Sequence, residues 1–257
     1  MLYNNKVLLV EDSYSDRYLF SRYLKQLGYE CDCFENGKEF IEKIGNYPSS
    51  LVLLDIELPV MNGIEAALHV RKYHCNHDKR FILIGLTSHS DPEVLEVIAS
   101  SGFDNCLQKP LKKQELANKL KQYIVNPMNL NNPPEDNNNA SGVHGRIYSL
   151  DMFDADDPEF LQSIIGMFVA STPPAIEGMK RSHENKEWEN LRVQAHKLKP
   201  HFNYFMIKVG AQALQELEEL ARHVTNLDKI PRLLDLIESN GMTAIQQMKE
   251  DYLSDKR

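Results

Sequence analysis

The stretch Val7-Leu-Leu-Val10, followed at once by Glu11-Asp12, decides how the first half of this chain folds. Four consecutive apolar residues bounded by polar ones predict a strand that is buried on both faces. A second run of the same kind, Leu51-Val-Leu-Leu54, ends directly at Asp55. Strands buried on both faces are typical of parallel sheets covered by helices, so these runs predict an α/β domain.

Helical patterns separate these two runs from further short apolar segments. We predict strands at 6–10, 29–34, 51–54, 81–86 and 105–108, and helices at 15–27, 38–44, 63–73, 92–100 and 112–124. Strands that alternate with helices in this way indicate βαβ units, and hence a doubly wound parallel sheet of five strands. Functional sites in such sheets lie outside the carboxyl ends of the strands.

The second half of the chain shows helical periodicity only. Apolar stripes that include Phe160, Trp188, Leu214 and Leu234 predict four amphipathic helices packed as an up-and-down bundle. Between the halves, residues 126–145 include seven Asn, three Pro and two Gly, a composition typical of a flexible linker. We therefore expect an α/β domain at 1–125, a linker at 126–146 and an all-α helical bundle at 147–257.

Composition excludes several classes of function. The formal net charge of −8 argues against binding to nucleic acid or to an anionic membrane surface. The sequence contains no apolar run near the about 20 residues that a transmembrane helix needs, and no signal peptide begins it. Four cysteines in the first half fit reduced thiols better than a disulfide framework. These features together favour a cytoplasmic protein.

Polar residues with complementary chemistry follow the predicted strands. Glu11-Asp12 and Asp55 end two of them, Thr87 ends another, and Lys109 follows the last. Two carboxylates about 4 Å apart repel by about 4 kcal/mol at an effective dielectric of about 20, so a cation should neutralise them, and all-oxygen ligands suit Mg²⁺. Asp55 is then a candidate nucleophile that forms an acyl phosphate. Lys109 and Thr87 are candidates to hold the phosphoryl oxygens.

Four motifs at these positions resemble the receiver domain of two-component response regulators. They are Val7-Leu-Leu-Val-Glu-Asp-Ser13, Asp55-Ile-Glu-Leu-Pro-Val-Met-Asn-Gly63, Leu86-Thr-Ser88 and Lys109-Pro110. The resemblance covers residues 5–125 and implies a flavodoxin-like fold. It also implies that Glu11 and Asp12 help to bind Mg²⁺, with Asp12 as a direct ligand.

The same resemblance implies roles for the other residues of the motifs. Asp55 is the phosphoacceptor and a metal ligand, and the backbone carbonyl of Glu57 is a further protein ligand of the metal. Thr87 and Lys109 contact the phosphoryl group, and a cis peptide is expected between Lys109 and Pro110. Family members couple this threonine to an aromatic residue on the fifth strand, and the corresponding position here is Cys106.

His196, in the second predicted helix of the bundle, differs from the other histidines by its surroundings. It lies next to the apolar stripe that runs through Ala195, and Arg192 and Lys199 fall on its side of the helix. A half-exposed imidazole among cations suits a nucleophile that carries a phosphoryl dianion. An ordinary solvated histidine explains this local pattern equally well.

Two segments of the bundle resemble a histidine phosphotransfer domain over residues 148–252. They are Ala195-His-Lys-Leu-Lys199 and Leu217-Glu-Glu-Leu-Ala221. The resemblance implies that His196 accepts the phosphoryl group and that Lys199 stabilises the phosphate. The family usually has glycine after this lysine. This chain has Pro200, which cannot donate to the carbonyl of His196 and so predicts a kink.

These features together predict a phosphorelay protein. The first domain would accept a phosphoryl group on Asp55 from a sensor histidine kinase or a phosphotransfer protein. His196 would carry one to or from a receiver, either this one or another. No glycine-rich nucleotide motif is present, so we expect a phosphotransfer protein and not an ATP-dependent kinase. The alternative is a phosphorylation-switched receiver whose bundle only docks a partner. The tail of a hybrid sensor kinase and a hydrolase are further alternatives.

Overall fold

The computed structural model describes residues 5–48, 50–75, 80–88, 92–123, 146–153 and 157–253. The chain divides into two compact units, residues 1–136 and 137–257, and each is described by itself. The linker predicted at 126–146 lies outside the described residues except for Arg146.

The N-terminal unit is a parallel sheet with helices on both faces. Its strands are β1 (Lys6–Val10), β2 (Glu30–Phe34), β3 (Leu51–Asp55), β4 (Ile82–Thr87) and β5 (Asn105–Gln108). Its helices are α1 (Tyr14–Gln26), α2 (Gly37–Lys43), α3 (Gly63–Tyr73), α4 (Pro92–Ser100) and α5 (Lys113–Leu120). The strand order is β2-β1-β3-β4-β5, and every pair is parallel. The predicted doubly wound α/β fold is confirmed.

The register of β1 and β3 determines where the acidic residues lie. Val10 pairs with Leu54, so the next residues, Glu11 and Asp55, lie side by side at the carboxyl ends of adjacent strands. Leu8, Val10 and Leu54 pack against α2 and α3 in one apolar core. Side chains alternate along a strand, so Val7 and its neighbours on the same face point to the opposite side of the sheet. Burial on both faces is what the two apolar runs predicted.

A glycine shapes the loop between β3 and α3. The Gly63 N–H donates to the carbonyl of Ile56 at 2.9 Å. A β-carbon on Gly63 would lie 2.1 Å from the carbonyl oxygen of Asp55, so no other residue fits without moving the backbone. The Asn62 side chain caps α3 and forms a reciprocal capping box with Glu65. The loop after Asp55 is therefore held at both of its ends.

Val60, in the same loop, is strained. Its φ is +70° and its side chain is 82% exposed. The left-handed region costs most residues about 1–2 kcal/mol, whereas asparagine visits it routinely. Replacing Val60 by asparagine is expected to raise the free energy of unfolding of the N-terminal unit by about 1 kcal/mol. Calorimetry of the full chain measures this gain. Val60→Ala, which keeps the β-carbon, should gain less, and no gain from asparagine would contradict the prediction.

The described residues of the C-terminal unit form helices and connecting segments, with no strand among them. Its helices are α6 (Pro158–Glu184), α7 (Trp188–Tyr204), α8 (Lys208–His223) and α9 (Ile230–Met248), followed by a π-helical turn (Lys249–Leu253). Neighbouring helices pack in the order α6, α7, α8, α9, and α9 also contacts α6. The rings of Phe168, Phe202 and Phe205 meet in the core. Before α6, Tyr148 donates to Asp251 at 2.7 Å, which joins the start of the unit to its end. The predicted all-α second part is confirmed.

Helix α7 carries the predicted histidine and continues past Pro200 to Tyr204. The kink expected at Pro200 thus does not end the helix. Lys199, Pro200 and Phe202 are all buried, so packing stabilises the last turn where the proline removes a backbone donor. Trp188, the only tryptophan of the chain, begins α7 with its ring 6.0 Å from that of His183. Among the residues that the structure describes, no helix is both long and apolar enough to cross a bilayer.

Candidate functional site

Three carboxylates meet at the carboxyl edge of the sheet. Glu11, Asp12 and Asp55 each offer an oxygen, and these oxygens all lie within 4.8 Å of one another. Glu11 is completely buried, Asp55 is 6% exposed and Asp12 is half-buried. Carboxylate oxygens are the ligands that Mg²⁺ prefers, so the donor set fits that ion. The structure thus brings together three residues for which the sequence predicts a shared metal site.

Lys109 is the cation of this cluster. Its Nζ donates to Glu11 Oε2 at 2.6 Å, to Asp55 Oδ2 at 2.8 Å and to Asp16 Oδ2 at 3.0 Å. An ammonium group has three N–H donors, so all three are engaged. The Lys109 backbone N–H donates to the Thr87 carbonyl at 2.7 Å, and the peptide between Lys109 and Pro110 is cis, as expected.

The charges of the cluster do not balance, because three buried carboxylates surround one ammonium. Burial and the charge of Asp55 raise the pKa of Glu11 well above its usual range, and Lys109 opposes that rise only in part. A divalent cation would supply the missing positive charge. This excess of negative charge is a second observation that fits the predicted magnesium site.

Asp16 also belongs to the cluster, although its sequence context predicts no such role. It lies in the first turn of α1 and is completely buried, and its Oδ1 has no hydrogen-bond partner among the described residues. Ser13 caps α1 and accepts from the Asp16 backbone N–H at 3.4 Å. A serine followed three residues later by an acid is also typical of an ordinary helix start. The sequence therefore does not distinguish the contact of Asp16 with Lys109 from a simple capping role.

The remaining predicted residues of the first domain lie at the same edge. Thr87 is the last residue of β4 and is buried. The Glu57 backbone N–H donates to Asp55 Oδ1 at 3.0 Å, so both oxygens of Asp55 are held. Cys106 is half-buried on β5, opposite Gly85 of β4.

His196 faces a buried carboxylate in the C-terminal unit. Its Nδ1 lies 3.0 Å from Glu218 Oε1, and its side chain is 18% exposed. Lys199 donates to Glu218 Oε2 at 2.7 Å, and Arg222 donates to Oε1 at 3.2 Å. Arg192 instead pairs with Glu189 at 2.7 Å. The structure thus adds a buried carboxylate to the cations that the sequence places on the side of His196.

Glu218 is ionised in this arrangement. Burial alone would raise its pKa, but the hydrogen bonds and charges of His196 and Lys199 outweigh burial and hold the pKa at about 2. A carboxylate accepts only, so Nδ1 of His196 carries a proton. In a neutral imidazole the lone pair then belongs to Nε2. Glu218 thus orients the ring and selects the nitrogen that can act as a nucleophile.

The sequence did contain a signal for Glu218. It follows Leu217 and lies four residues after Leu214 in the amphipathic pattern of α8. A glutamate on the apolar side of a helix is expected to have a buried cationic or hydrogen-bonding partner. Arg222, one turn further on, had no comparable signal, because a basic residue near the end of a helix is ordinary.

Comparison with known proteins supports the predicted resemblance of the N-terminal unit to a receiver domain. Residues 7–121 match the response regulator receiver domain family. The chain is 25% identical over 224 residues to the sensor protein GacS of Pseudomonas syringae pv. syringae, covering 84% of this chain and 24% of that protein. It is 30% identical over 122 residues to the sensor kinase/phosphatase CqsS of Vibrio cholerae, covering 48% of this chain and 18% of that one. The chain spans about a quarter or less of the length of these relatives.

Solved structures similar to this chain include two-component proteins. One is the receiver domain of the sensor histidine kinase PA1611 of Pseudomonas aeruginosa PAO1, with magnesium in its active site cleft (26% identity, 47% of this chain, 97% of that chain, TM-score 0.43). Another is the Saccharomyces cerevisiae complex of Ypd1 with the Ssk1 receiver domain (23% identity, 48% of this chain, 90% of that chain, TM-score 0.44). Residues 7–121 match this family, and the unit folds as a five-stranded parallel sheet. The N-terminal unit is therefore a response regulator receiver domain of two-component signalling.

Proposed function

We propose that the receiver domain accepts a phosphoryl group on Asp55 in a reaction that requires Mg²⁺. The observation that carries this proposal is the placement of Asp55 Oδ2 against Lys109 inside a cluster of carboxylates. Glu11, Asp12 and Asp55, with the backbone carbonyl of Glu57, would hold the ion. When bound, Mg²⁺ supplies positive charge for the oxygens of the transferred group.

The protein groups account for the rest of the transfer. An oxygen of Asp55 attacks phosphorus, so that an O–P bond forms while the N–P bond of a phosphohistidine breaks. The released imidazole nitrogen keeps the electron pair and takes up a proton from solvent. Lys109 and the Thr87 hydroxyl lie at the same edge of the sheet and would contact phosphoryl oxygens. Positioning and charge neutralisation are the main contributions to such a reaction.

We propose further that the C-terminal unit is a histidine phosphotransfer domain with His196 as its phosphoaccepting residue. Glu218 holds the Nδ1 side of the ring, and Lys199 lies beside it on the same carboxylate, close enough to serve as the phosphate-stabilising neighbour. The 224 residues aligned with GacS exceed the receiver match at 7–121, so that similarity extends into the helical unit.

The proposed protein has a receiver at 1–125, a linker at 126–146 and a phosphotransfer bundle at 147–257. Its upstream partner would be a sensor histidine kinase or a phosphotransfer protein, and its downstream partner would be another receiver domain. We place the protein in the cytoplasm, and its net charge of −8 argues against binding to nucleic acid or to an anionic membrane. The sequence lacks a glycine-rich nucleotide motif, so the phosphoryl group would come from a phosphodonor and not directly from ATP.

A labelling experiment on the full chain tests both parts of the proposal. The protein is incubated with Mg²⁺ and a radiolabelled small acyl phosphate, beside Asp55→Asn and His196→Gln variants. His223→Gln, which alters an exposed histidine, is the matched control. Aspartyl phosphate is lost in base, whereas phosphohistidine is stable in base and lost in acid, so lability identifies the acceptor.

We expect Asp55→Asn to lower total incorporation at least about tenfold, since it removes the nucleophile. Base-stable label that disappears in both Asp55→Asn and His196→Gln would support a relay through His196. Label confined to Asp55 would favour the alternative, in which the bundle only docks a partner. Labelling by ATP alone, or undiminished label in Asp55→Asn, would contradict the proposed chemistry.

A further inference from the structure

Two cysteines lie side by side on the outer strand of the receiver sheet. Cys31 and Cys33 are two residues apart on β2, and their sulfur atoms are 3.6 Å apart. They pair in register with Val7 and Leu9 of β1, so both side chains leave the same face of the sheet. Cys33 is exposed and Cys31 is half-buried. Neither residue has a part in the phosphoryl chemistry proposed above.

The two thiols are not equivalent. The hydrogen bond between the two sulfur atoms and the positive charge of Arg17 lower the pKa of Cys33, and burial opposes this only in part. The same hydrogen bond and burial raise the pKa of Cys31. The pair therefore combines an exposed sulfur that favours the thiolate with an adjacent sulfur that keeps its proton. Reactive cysteines in redox sensors have these properties, a low pKa and exposure beside a second cysteine.

We propose that Cys33 and Cys31 form a peroxide-reactive pair, in which Cys33 is the attacking and Cys31 the resolving residue. The Cys33 thiolate attacks one oxygen of hydrogen peroxide, the O–O bond breaks, and a sulfenic acid and hydroxide result. The Cys31 sulfur then attacks the Cys33 sulfur and displaces its hydroxyl group, which leaves as water with the Cys31 proton. The two thiols are oxidised to one disulfide, and the peroxide is reduced to water.

The position of the pair in the sheet allows the second step. The sulfur atoms must approach from 3.6 Å to about 2.05 Å, the length of a disulfide bond. Residues two apart on a strand have α-carbons about 6.6 Å apart, near the upper end of the range that disulfides span. Among the described strands β2 pairs with β1 alone, so it can pucker without breaking a second ladder. The resulting disulfide is expected to be strained, and strained disulfides are readily reduced.

Mass spectrometry of the full chain tests the proposal. The reduced protein is treated with hydrogen peroxide in the presence of a chelator, and remaining thiols are blocked with N-ethylmaleimide. Trypsin releases both cysteines in one peptide, Gln26–Lys38, because no lysine or arginine lies between its ends. We expect this peptide to lose two hydrogens and to take up no maleimide. Treatment with dithiothreitol should restore two maleimide sites.

Single serine variants assign the two roles, and Cys75→Ser and Cys106→Ser are the matched controls. In Cys31→Ser, dimedone should trap a sulfenic acid on Cys33. In Cys33→Ser, oxidation of the peptide should slow at least about tenfold, while both controls react as the wild type does. The proposal is overturned if the wild-type peptide still carries two maleimides when Cys75 or Cys106 has been oxidised. It is also overturned if Cys33→Ser reacts as fast as Cys31→Ser.

Discussion

Replacing Lys109 by methionine is expected to destabilise the receiver domain by about 3 kcal/mol or more and to prevent labelling of Asp55. Methionine has a similar length but no charge, so Glu11, Asp16 and Asp55 would face one another without their cation. Removing one partner of a buried ion pair typically costs about 3–5 kcal/mol, because the remaining charge stays buried.

Hydrogen exchange followed by mass spectrometry measures this effect where it arises. Amides of β1 and β3 should exchange faster in Lys109→Met, and millimolar Mg²⁺ should restore part of their protection by supplying positive charge. Lys43→Met is the matched control, since Lys43 is an exposed lysine that pairs with Glu39 on α2. Unchanged exchange in Lys109→Met would contradict the prediction, because the buried carboxylates would then be neutralised without Lys109.

Replacing Glu218 by alanine is expected to destabilise the helical unit by about 3 kcal/mol. Lys199 is buried, and its Nζ donates to Glu218, so the variant leaves a buried ammonium without that carboxylate. Urea unfolding followed by the fluorescence of Trp188 reports on this unit alone, because it holds the only tryptophan. Glu219→Gln, which alters an exposed neighbour that pairs with His223, should change the midpoint little.

The contribution of Glu218 should also depend on pH in a defined direction. Its pKa falls from a usual 4.5 to about 2 on folding, so the folded state favours the carboxylate. That stability is fully present above about pH 4.5 and is lost as the pH falls toward 2. Glu218→Gln should lack this part of the acid dependence. Parallel curves for wild type and Glu218→Gln between pH 5 and pH 2 would contradict the assignment.

The sequence predicts the receiver fold well because its signals are local. The runs at Leu8 and Val52 carry apolar residues in every position, which only a strand covered on both faces requires. Predicted helix ends differ from the structure by a few residues, since capping depends on single side chains. For α1, the Ser13 side chain starts the helix at Tyr14, one residue before the predicted position.

The candidate sites were predicted less completely, because their missing members act across the fold. Asp16 and Glu218 are each far in sequence from the lysine that they bind, by 93 and 19 residues. Each also has an ordinary local explanation, a helix-start acid or one glutamate among several. The packing of two elements determines which lysine an acid contacts. The spacing of residues within one helix does not predict that packing.

The place of the single tryptophan has a consequence for signalling studies. Trp188 belongs to the helical unit, whereas Asp55 belongs to the receiver domain. A change in the emission spectrum of Trp188 when Asp55 becomes phosphorylated would therefore show that the two units communicate. This experiment needs no added label. The Asp55→Asn variant, which lacks the proposed phosphoacceptor, is the control and should show no change.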